Sequence, residues 1–149
     1  MRPEHTQLRP LSSLATLLGS DTTLVRPDLR PDTPEEAPSR EVHVRGITHD
    51  SRRVGPGDLY AALPGTRVHG AEFAAQAAES GAAAIMTDPA GADRAEATGL
   101  PVLVVPDVRA ALGRAASWVF DDPAEDLLLV GTTGTSGKTS ITYLLESGL

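Results

Sequence analysis

The sequence predicts an α/β fold with a mixed or parallel β-sheet flanked by helices. Between residues 70 and 120, short apolar segments alternate with segments of helical periodicity, and the apolar segments carry no polar face. Continuous apolar strands between helices are typical of parallel strands covered on both sides. The length of 149 residues is enough for one domain with a hydrophobic core, or for one domain plus a fragment of another.

The N-terminal part predicts a helix, a loop and two strands. Leucines recur there at helical spacing: Leu8, Leu11, Leu14, Leu17 and Leu18. Four prolines within residues 26–40 predict a loop or a mobile insertion, because proline fixes φ and removes a hydrogen-bond donor. Val42, Val44 and Ile47 indicate a strand, and the turn GPG leads into a second strand at residues 57–63.

From residue 70 onward, helices and strands alternate. The predicted order is a helix at 71–80 that ends at Gly81, a strand at 82–87, a helix at 92–98, a strand at 100–106 and a helix at 107–120. One face of the last helix is apolar: Val108, Leu112, Ala115 and Val119. Residues 121–126, DDPAED, predict a turn and a domain boundary near Asp122.

The composition excludes several classes of function. Hydrophobic residues make up 40% and charged residues 22%, as in a globular protein, and the net charge of −7 argues against nucleic-acid partners and anionic membranes. The absence of cysteine excludes disulfides and thiolate metal sites. No apolar run approaches the roughly 20 residues that cross a bilayer. We also identify no secretory signal, so we expect a cytoplasmic location without membrane insertion.

The segment LLLVGTTGTSGKTS, residues 127–140, has the organisation of a phosphate-binding loop. Such a loop joins a strand to a helix through small residues, and it needs a lysine for the phosphates and a hydroxyl for Mg²⁺. Lys138 is the single lysine beside twelve arginines, and Thr139 follows it. The general spacing G-x-x-x-x-G-K-[ST] would need glycine at Thr132, so this loop is a variant. The alternative is a glycine-rich turn with an exposed lysine.

TGTSGKTS, residues 133–140, resembles the T-G-T-N-G-K-T-T loop of the Mur ligases, the ATP-dependent amide-forming enzymes of peptidoglycan synthesis. Residues 50–86, which begin DSRRVGPGDLYAALPG, are similar to a stretch of the substrate-nucleotide domain of the same family. Two ordered motifs are more specific than either one alone. The sequence departs from the family pattern at Ser136, usually asparagine, at Ser140, usually threonine, and at His69, usually aspartate.

The resemblance implies that the complete enzyme adds a diamino acid, meso-diaminopimelate or lysine, to UDP-N-acetylmuramoyl-L-Ala-D-Glu. ATP would phosphorylate the D-Glu carboxylate, and the amine of the diamino acid would attack the acyl phosphate. The implied cofactors are ATP and Mg²⁺, the UDP-muramoyl dipeptide is the partner, and the protein would be a monomer. Residues 1–122 would form the UDP-substrate-binding domain. Residues 123–149 would begin a truncated ATP-binding domain, so this chain would be inactive alone.

The resemblance also implies site residues. The ATP-binding residues would be Gly134, Thr135, Ser136, Gly137, Lys138, Thr139 and Ser140, with Lys138 catalytic and Thr139 holding Mg²⁺. The substrate-binding residues would be His49, Ser51, Thr66, Arg67 and Val68. Residues 45–67 contain four arginines and two acids, a positive segment in an acidic chain that suits a diphosphate. The alternatives are a turn cap for Ser51 and a solvated loop arginine for Arg67.

Three other functions remain open from the sequence. The branch of the family that adds D-Ala-D-Ala shares the upstream motif, and a non-catalytic UDP-sugar-binding module is a further alternative. An unrelated P-loop NTPase is disfavoured by Thr132 and by that motif. The histidines lack the spacing of a metal site and are expected to be structural or solvated: His5, His43, His49 and His69. Residues 121–126 are expected to be a solvated linker.

Overall fold

The secondary structure was obtained from a computed structural model, which describes residues 7–26, 41–125, 131 and 133–148. In chain order the elements are β1 (Arg9–Pro10), α1 (Leu11–Leu18), β2 (Thr23–Val25), β3 (His43–Val44), β4 (Gly46–Thr48), β5 (Asp58–Ala61), α2 (Ala74–Glu79), β6 (Ala84–Thr87), α3 (Ala92–Glu96), β7 (Val102–Val104), α4 (Val108–Val119) and α5 (Lys138–Gly148). Two short 3₁₀ helices lie at Ser51–Arg53 and Gly70–Phe73.

A five-stranded sheet in the order β2-β7-β6-β5-β4 organises the fold. Strands β4, β5, β6 and β7 pair in parallel, and β2 is added to the β7 edge in the antiparallel direction. A separate pair of strands, β1 and β3, is antiparallel. The prediction of an α/β fold with a mixed or parallel sheet is confirmed, and the sheet is mixed.

Alternate residues of the central strands enter two apolar layers. Leu59 and Met86 belong to the layer that contains residues of α1 and α4, whereas Tyr60 and Ile85 belong to the layer of α2 and α3. Both faces of β5 and β6 are therefore buried. This explains why these strands appear in the sequence as continuous apolar runs.

The helix predicted at 107–120 is α4, and its ends follow from its sequence. The carboxylate of Asp107 accepts hydrogen bonds from the N–H groups of Arg109 and Ala110 and so caps the first turn. Val108, Ala115 and Val119 are buried and Leu112 packs against the same layer, which confirms the predicted apolar face. The chain leaves the helix through Asp121 and Asp122, at φ 65° and 47°. The turn predicted there is confirmed as far as residue 125.

Two N-terminal elements differ from the prediction. The first helix begins at Leu11 rather than at Leu8, because Arg9 and Pro10 pair with β3 and Leu8 is exposed. The single strand predicted around residues 42–47 is divided at Arg45 into β3 and β4, which pair with different partners. The residue before a proline disfavours the helical conformation, so Pro10 could have indicated the later start of the helix. Nothing in the apolar pattern of residues 42–47 indicated that the strand changes its partner.

Two further features were not predicted. The helix expected at 71–80 starts with the 3₁₀ helix Gly70–Phe73, and only its second half is α2. Gly81 ends it at φ +94°, as predicted. Strand β2 was missed because its three residues, TLV, are too short to show a period.

Some predictions concern residues outside the described part of the chain. These are the proline-rich insertion beyond Arg26, the strand before the phosphate-binding loop, Thr132, His5 and the N-terminal segment. The helix predicted after that loop is present as α5. Within the described ranges, no helix is long and apolar enough to span a membrane.

Candidate functional site

The carboxyl ends of the four parallel strands lie at one edge of the sheet. The segments that follow them are residues 49–57 after β4, 62–69 after β5, 88–91 after β6 and 105–107 after β7. Open α/β sheets bind ligands at this edge. The motif that begins with Asp50 supplies two of these four segments.

A cavity of about 730 Å³ opens at this edge. Asp50 and Arg52 line it from the first segment, Pro64 and Gly65 from the second, and Arg109 from α4. Its volume lies within the range of small-molecule sites, roughly 300 to 1,000 Å³. The cavity is therefore large enough for a nucleotide.

Three of the five predicted substrate-binding residues line this cavity: His49, Ser51 and Val68. Thr66 and Arg67 do not line it, but they lie exposed in the same loop as Val68. The fold thus brings together residues from two separated parts of the motif. Their contact with a nucleotide stays a prediction.

Ser51 is buried at the start of the 3₁₀ helix Ser51–Arg53, and its hydroxyl donates to the side-chain oxygen of Gln76 at 3.0 Å. The cap of this 3₁₀ helix is Asp50, whose carboxylate accepts the N–H of Arg52. The turn is therefore capped by Asp50 and not by Ser51. Gln76 was not among the predicted site residues, although the lone amide in the run AAQAA could have indicated it.

Asp50 and Arg52 form a bidentate ion pair beside Ser51. Arg52 Nε and Nη2 lie 2.9 and 3.0 Å from the two carboxylate oxygens. These hydrogen bonds lower the pKa of Asp50 and raise the pKa of Arg52. Each charge in this pair is therefore compensated by the other at neutral pH.

The loop of residues 63–70, called here the wall loop, is closed at its base. The N–H of Gly70 donates to the carbonyl of Leu63 at 2.8 Å, and the Tyr60 hydroxyl donates to the carbonyl of Gly70 at 2.9 Å. Burial raises the pKa of Tyr60, and the charge of Asp50 raises it further, so the hydroxyl remains a neutral donor. Leu63, Pro64, Gly65, Val68 and Gly70 of the wall loop line the cavity.

His69 ties the wall loop to the turn after β6. Its Nε2 lies 3.0 Å from Asp88 Oδ1, and its Nδ1 accepts the N–H of Ala71 at 3.0 Å. Asp88 Oδ1 also accepts the N–H of Gly91. Because Nδ1 is an acceptor, the hydrogen bound to a ring nitrogen is on Nε2, and this N–H donates to Asp88. An aspartate in place of His69 would cap the 3₁₀ helix but would face a second carboxylate.

The loop predicted to bind phosphate, residues 133–140, lies in a separate part of the chain. Gly134 and Gly137 have φ of +152° and +78°, a backbone conformation that residues other than glycine rarely adopt. Lys138 begins α5, and its amine donates to the carbonyl of Gly134. Thr139 follows it in the first turn. A cation folded over the loop with hydroxyls at the helix start fits the donor set that nucleotide phosphates and Mg²⁺ require.

The comparisons with known proteins agree on one family. The description "Mur ligase family, catalytic domain" matches residues 43–118, just over half of the chain. UDP-N-acetylmuramoyl-L-alanyl-D-glutamate–2,6-diaminopimelate ligases from Streptomyces avermitilis and Streptomyces coelicolor are 53% and 52% identical over 148 residues. A UDP-N-acetylmuramyl-tripeptide synthetase from Leifsonia xyli is 48% identical over 145 residues. The alignments cover 97 to 99% of this chain but only 26% of each relative.

Solved structures share the fold at lower identity. A UDP-N-acetylmuramoylalanyl-D-glutamyl-2,6-diaminopimelate–D-alanyl-D-alanyl ligase from Acinetobacter baumannii matches 95% of this chain with a TM-score of 0.63 and 24% identity. The match covers 28% of that structure's chain. The chain thus spans about a quarter of the length of the proteins that it resembles.

Proposed function

Since the chain belongs to the Mur ligase family, we propose that it is part of an ATP-dependent ligase that adds 2,6-diaminopimelate to UDP-N-acetylmuramoyl-L-alanyl-D-glutamate. This is the activity that the two Streptomyces relatives carry in their names. Residues 1–122 would bind the UDP portion of the substrate, and residues 123–149 would begin the ATP-binding domain. The protein would act in the cytoplasm as a monomer.

The observation that carries this proposal is the position of the cavity. It lies at the carboxyl ends of the parallel strands, where α/β sheets bind nucleotides, and His49, Ser51 and Val68 line it. The sequence motif independently predicts contact with UDP for the same three residues. We propose that Thr66 and Arg67 reach the same ligand from the wall loop.

The phosphate-binding loop supplies the second half of the proposal. Lys138 would neutralise charge on the ATP phosphates, the backbone of residues 134–140 would cradle them, and Thr139 would hold Mg²⁺. Phosphoryl transfer from ATP to the D-Glu carboxylate would give an acyl phosphate. The amine of the diamino acid would then displace phosphate and form the amide. In this scheme the loop acts by positioning and by charge stabilisation.

Two neighbouring activities are less well supported. Ligation of D-Ala-D-Ala is named in the Acinetobacter baumannii structure, but at 24% identity that likeness extends to the fold alone. Lysine in place of diaminopimelate would need residues that bind the amino acid, and we assign none in this chain. Diaminopimelate is favoured over lysine because it is the amino acid in the names of the relatives that are 52–53% identical.

A pair of substitutions in the full-length gene product tests the proposal. Lys138→Ala is expected to lower the rate of ATP-dependent ligation by about 100-fold or more, because it removes a charge that acts on the transferred phosphoryl group. Affinity for the UDP-muramoyl dipeptide should change by less than about 2-fold. Ligation at an undiminished rate in this variant would contradict the assignment of the loop.

Ser51→Ala is the matched substitution in the proposed UDP site. It is expected to weaken the affinity for the UDP-muramoyl dipeptide by about 5-fold, because one buried hydroxyl is lost, and to leave the KM for ATP unchanged. An unchanged affinity for the dipeptide would show that the substrate does not bind at Ser51. Substrate binding without any turnover by the wild-type protein would favour the non-catalytic binding module.

A further inference from the structure

We propose that Arg109, on α4, is a further binding residue of the cavity and that its guanidinium takes the diphosphate of the UDP substrate. The sequence motifs do not include Arg109, because its segment is predicted only as a helix with an apolar face. The inference rests on the proposed function, since it names the group that would hold the anionic part of that substrate.

The described part of the cavity wall carries a net positive charge. Among the described residues that line it, the side chains with a fixed charge are Asp50, Arg52 and Arg109. Asp50 and Arg52 neutralise each other through two hydrogen bonds of 2.9 and 3.0 Å. Arg109 therefore supplies the net positive charge of this wall. A UDP diphosphate carries negative charge and would be drawn to it.

The contact between the Arg109 side chain and the wall loop is weak. Its Nη2 lies 3.5 Å from the carbonyl oxygen of Pro64, at the outer limit of a hydrogen bond. A guanidinium has five N–H donors in a planar fork that matches two phosphate oxygens. The weak contact with Pro64 holds the side chain beside the wall loop, and no other described residue takes its remaining donors, which leaves them for a ligand.

The backbone amides at the N-terminus of α4 already have a hydrogen-bond acceptor. The N–H groups of Arg109 and Ala110 already donate to the Asp107 carboxylate at 2.8 and 3.1 Å. These amides are therefore not available to an anion. The positive group that α4 offers to the cavity is the Arg109 side chain.

A purely structural role for Arg109 would give a different result from phosphate binding. If Arg109 served only to hold Pro64 in place, its loss would disturb the wall loop and lower the affinity of the cavity for every ligand. If it binds phosphate, its loss would lower the affinity only for ligands that carry phosphate. Uridine and UDP differ in the diphosphate alone and separate these two cases.

The test is titration calorimetry of the full-length protein with UDP and with uridine, the latter by displacement of UDP if its affinity is low. Arg109→Ala should weaken UDP binding by about 10-fold or more and change uridine binding by less than about 2-fold. Arg109→Lys should recover part of the UDP affinity, since it keeps the charge but loses the fork.

Arg114→Ala is the matched control, because Arg114 lies on the same helix, donates to the Leu17 carbonyl and does not line this cavity. It should leave both affinities unchanged. An equal loss of uridine and UDP affinity in Arg109→Ala, or no loss at all, would overturn the inference while leaving the UDP site intact. A wild-type protein that binds neither probe would overturn the proposed UDP site together with the inference.

Discussion

Close contact fixes the residue type at Gly70. A Cβ atom at this position would lie 2.8 Å from both the N and the O atoms of Leu63, which are backbone atoms that a side-chain rotation cannot move. The same residue donates to Leu63 and accepts from Tyr60. Gly70 therefore joins strand β5 to the far end of the wall loop, and a larger residue must push the two apart.

Gly70→Ala should lower the free energy of unfolding by about 1–3 kcal/mol, because the added methyl group overlaps backbone atoms. Equilibrium urea unfolding measures this. Gly113→Ala is the control, since Gly113 lies inside α4 and a Cβ there meets nothing within 4 Å. That variant should gain about 0.5–1 kcal/mol from helix propensity. Equal effects of the two substitutions would contradict the account of Gly70.

A second prediction at this scale concerns pH and Glu41. Its carboxylate accepts the N–H of Ser12 in the first turn of α1 at 3.1 Å and contacts Arg26. Burial opposes the charged form, but these partners outweigh it and lower the pKa of Glu41. A lowered carboxyl pKa gives stability that is present above the usual value of 4.5 and is lost as the pH falls through the folded-state value.

Glu41→Gln should therefore reduce the free energy of unfolding at pH 7 and flatten its decline between about pH 5 and 3. Urea unfolding across that interval is the measurement. Glu79→Gln, on the exposed side of α2, controls for the loss of one negative charge. A Glu41→Gln variant with the same acid decline as the wild type would show that the contact with Ser12 contributes nothing.

The elements differ in how far their sequences predicted them. The helix α4 was predicted nearly to its ends because it carries a cap, an apolar face and a polar stop within its own residues. The division of residues 42–47 into β3 and β4 was not, since the choice between two partner strands depends on distant residues. The wall loop was predicted as a ligand loop from a motif, but its ties to Tyr60 and Asp88 are tertiary contacts.

The tie between the wall loop and the turn after β6 gives the prediction at the scale of elements. His69→Asn keeps an acceptor near the N–H of Ala71 but loses the hydrogen bond to Asp88, and it should cost about 1–2 kcal/mol of stability. Because the wall loop lines the cavity, UDP affinity should fall as well. Asp88→Ala combined with His69→Asn completes a double-mutant cycle, and strictly additive effects would contradict a direct tie.

At the scale of the whole molecule, the two halves of the proposed site were predictable to different degrees. The residues 133–140 form a local motif, because a phosphate-binding loop is built from consecutive residues, and its helix is present as α5. The cavity proposed to bind UDP combines residues from three parts of the chain, 49–52, 60–70 and 73–76, with residues of α4, so the sequence identified only part of the lining. Gln76 and Arg109 enter through folding: the lone amide in AAQAA singles out Gln76, but no local pattern reports which residues either side chain contacts.

The most direct test of the central claim is the amino-acid dependence of ADP release by the full-length gene product. With ATP, Mg²⁺ and UDP-N-acetylmuramoyl-L-alanyl-D-glutamate, we expect ADP to form only when 2,6-diaminopimelate is added, together with one equivalent of the UDP-linked tripeptide. ADP release that instead requires a UDP-linked tripeptide and D-Ala-D-Ala would contradict the claim, as would the absence of turnover with every amino acid supplied.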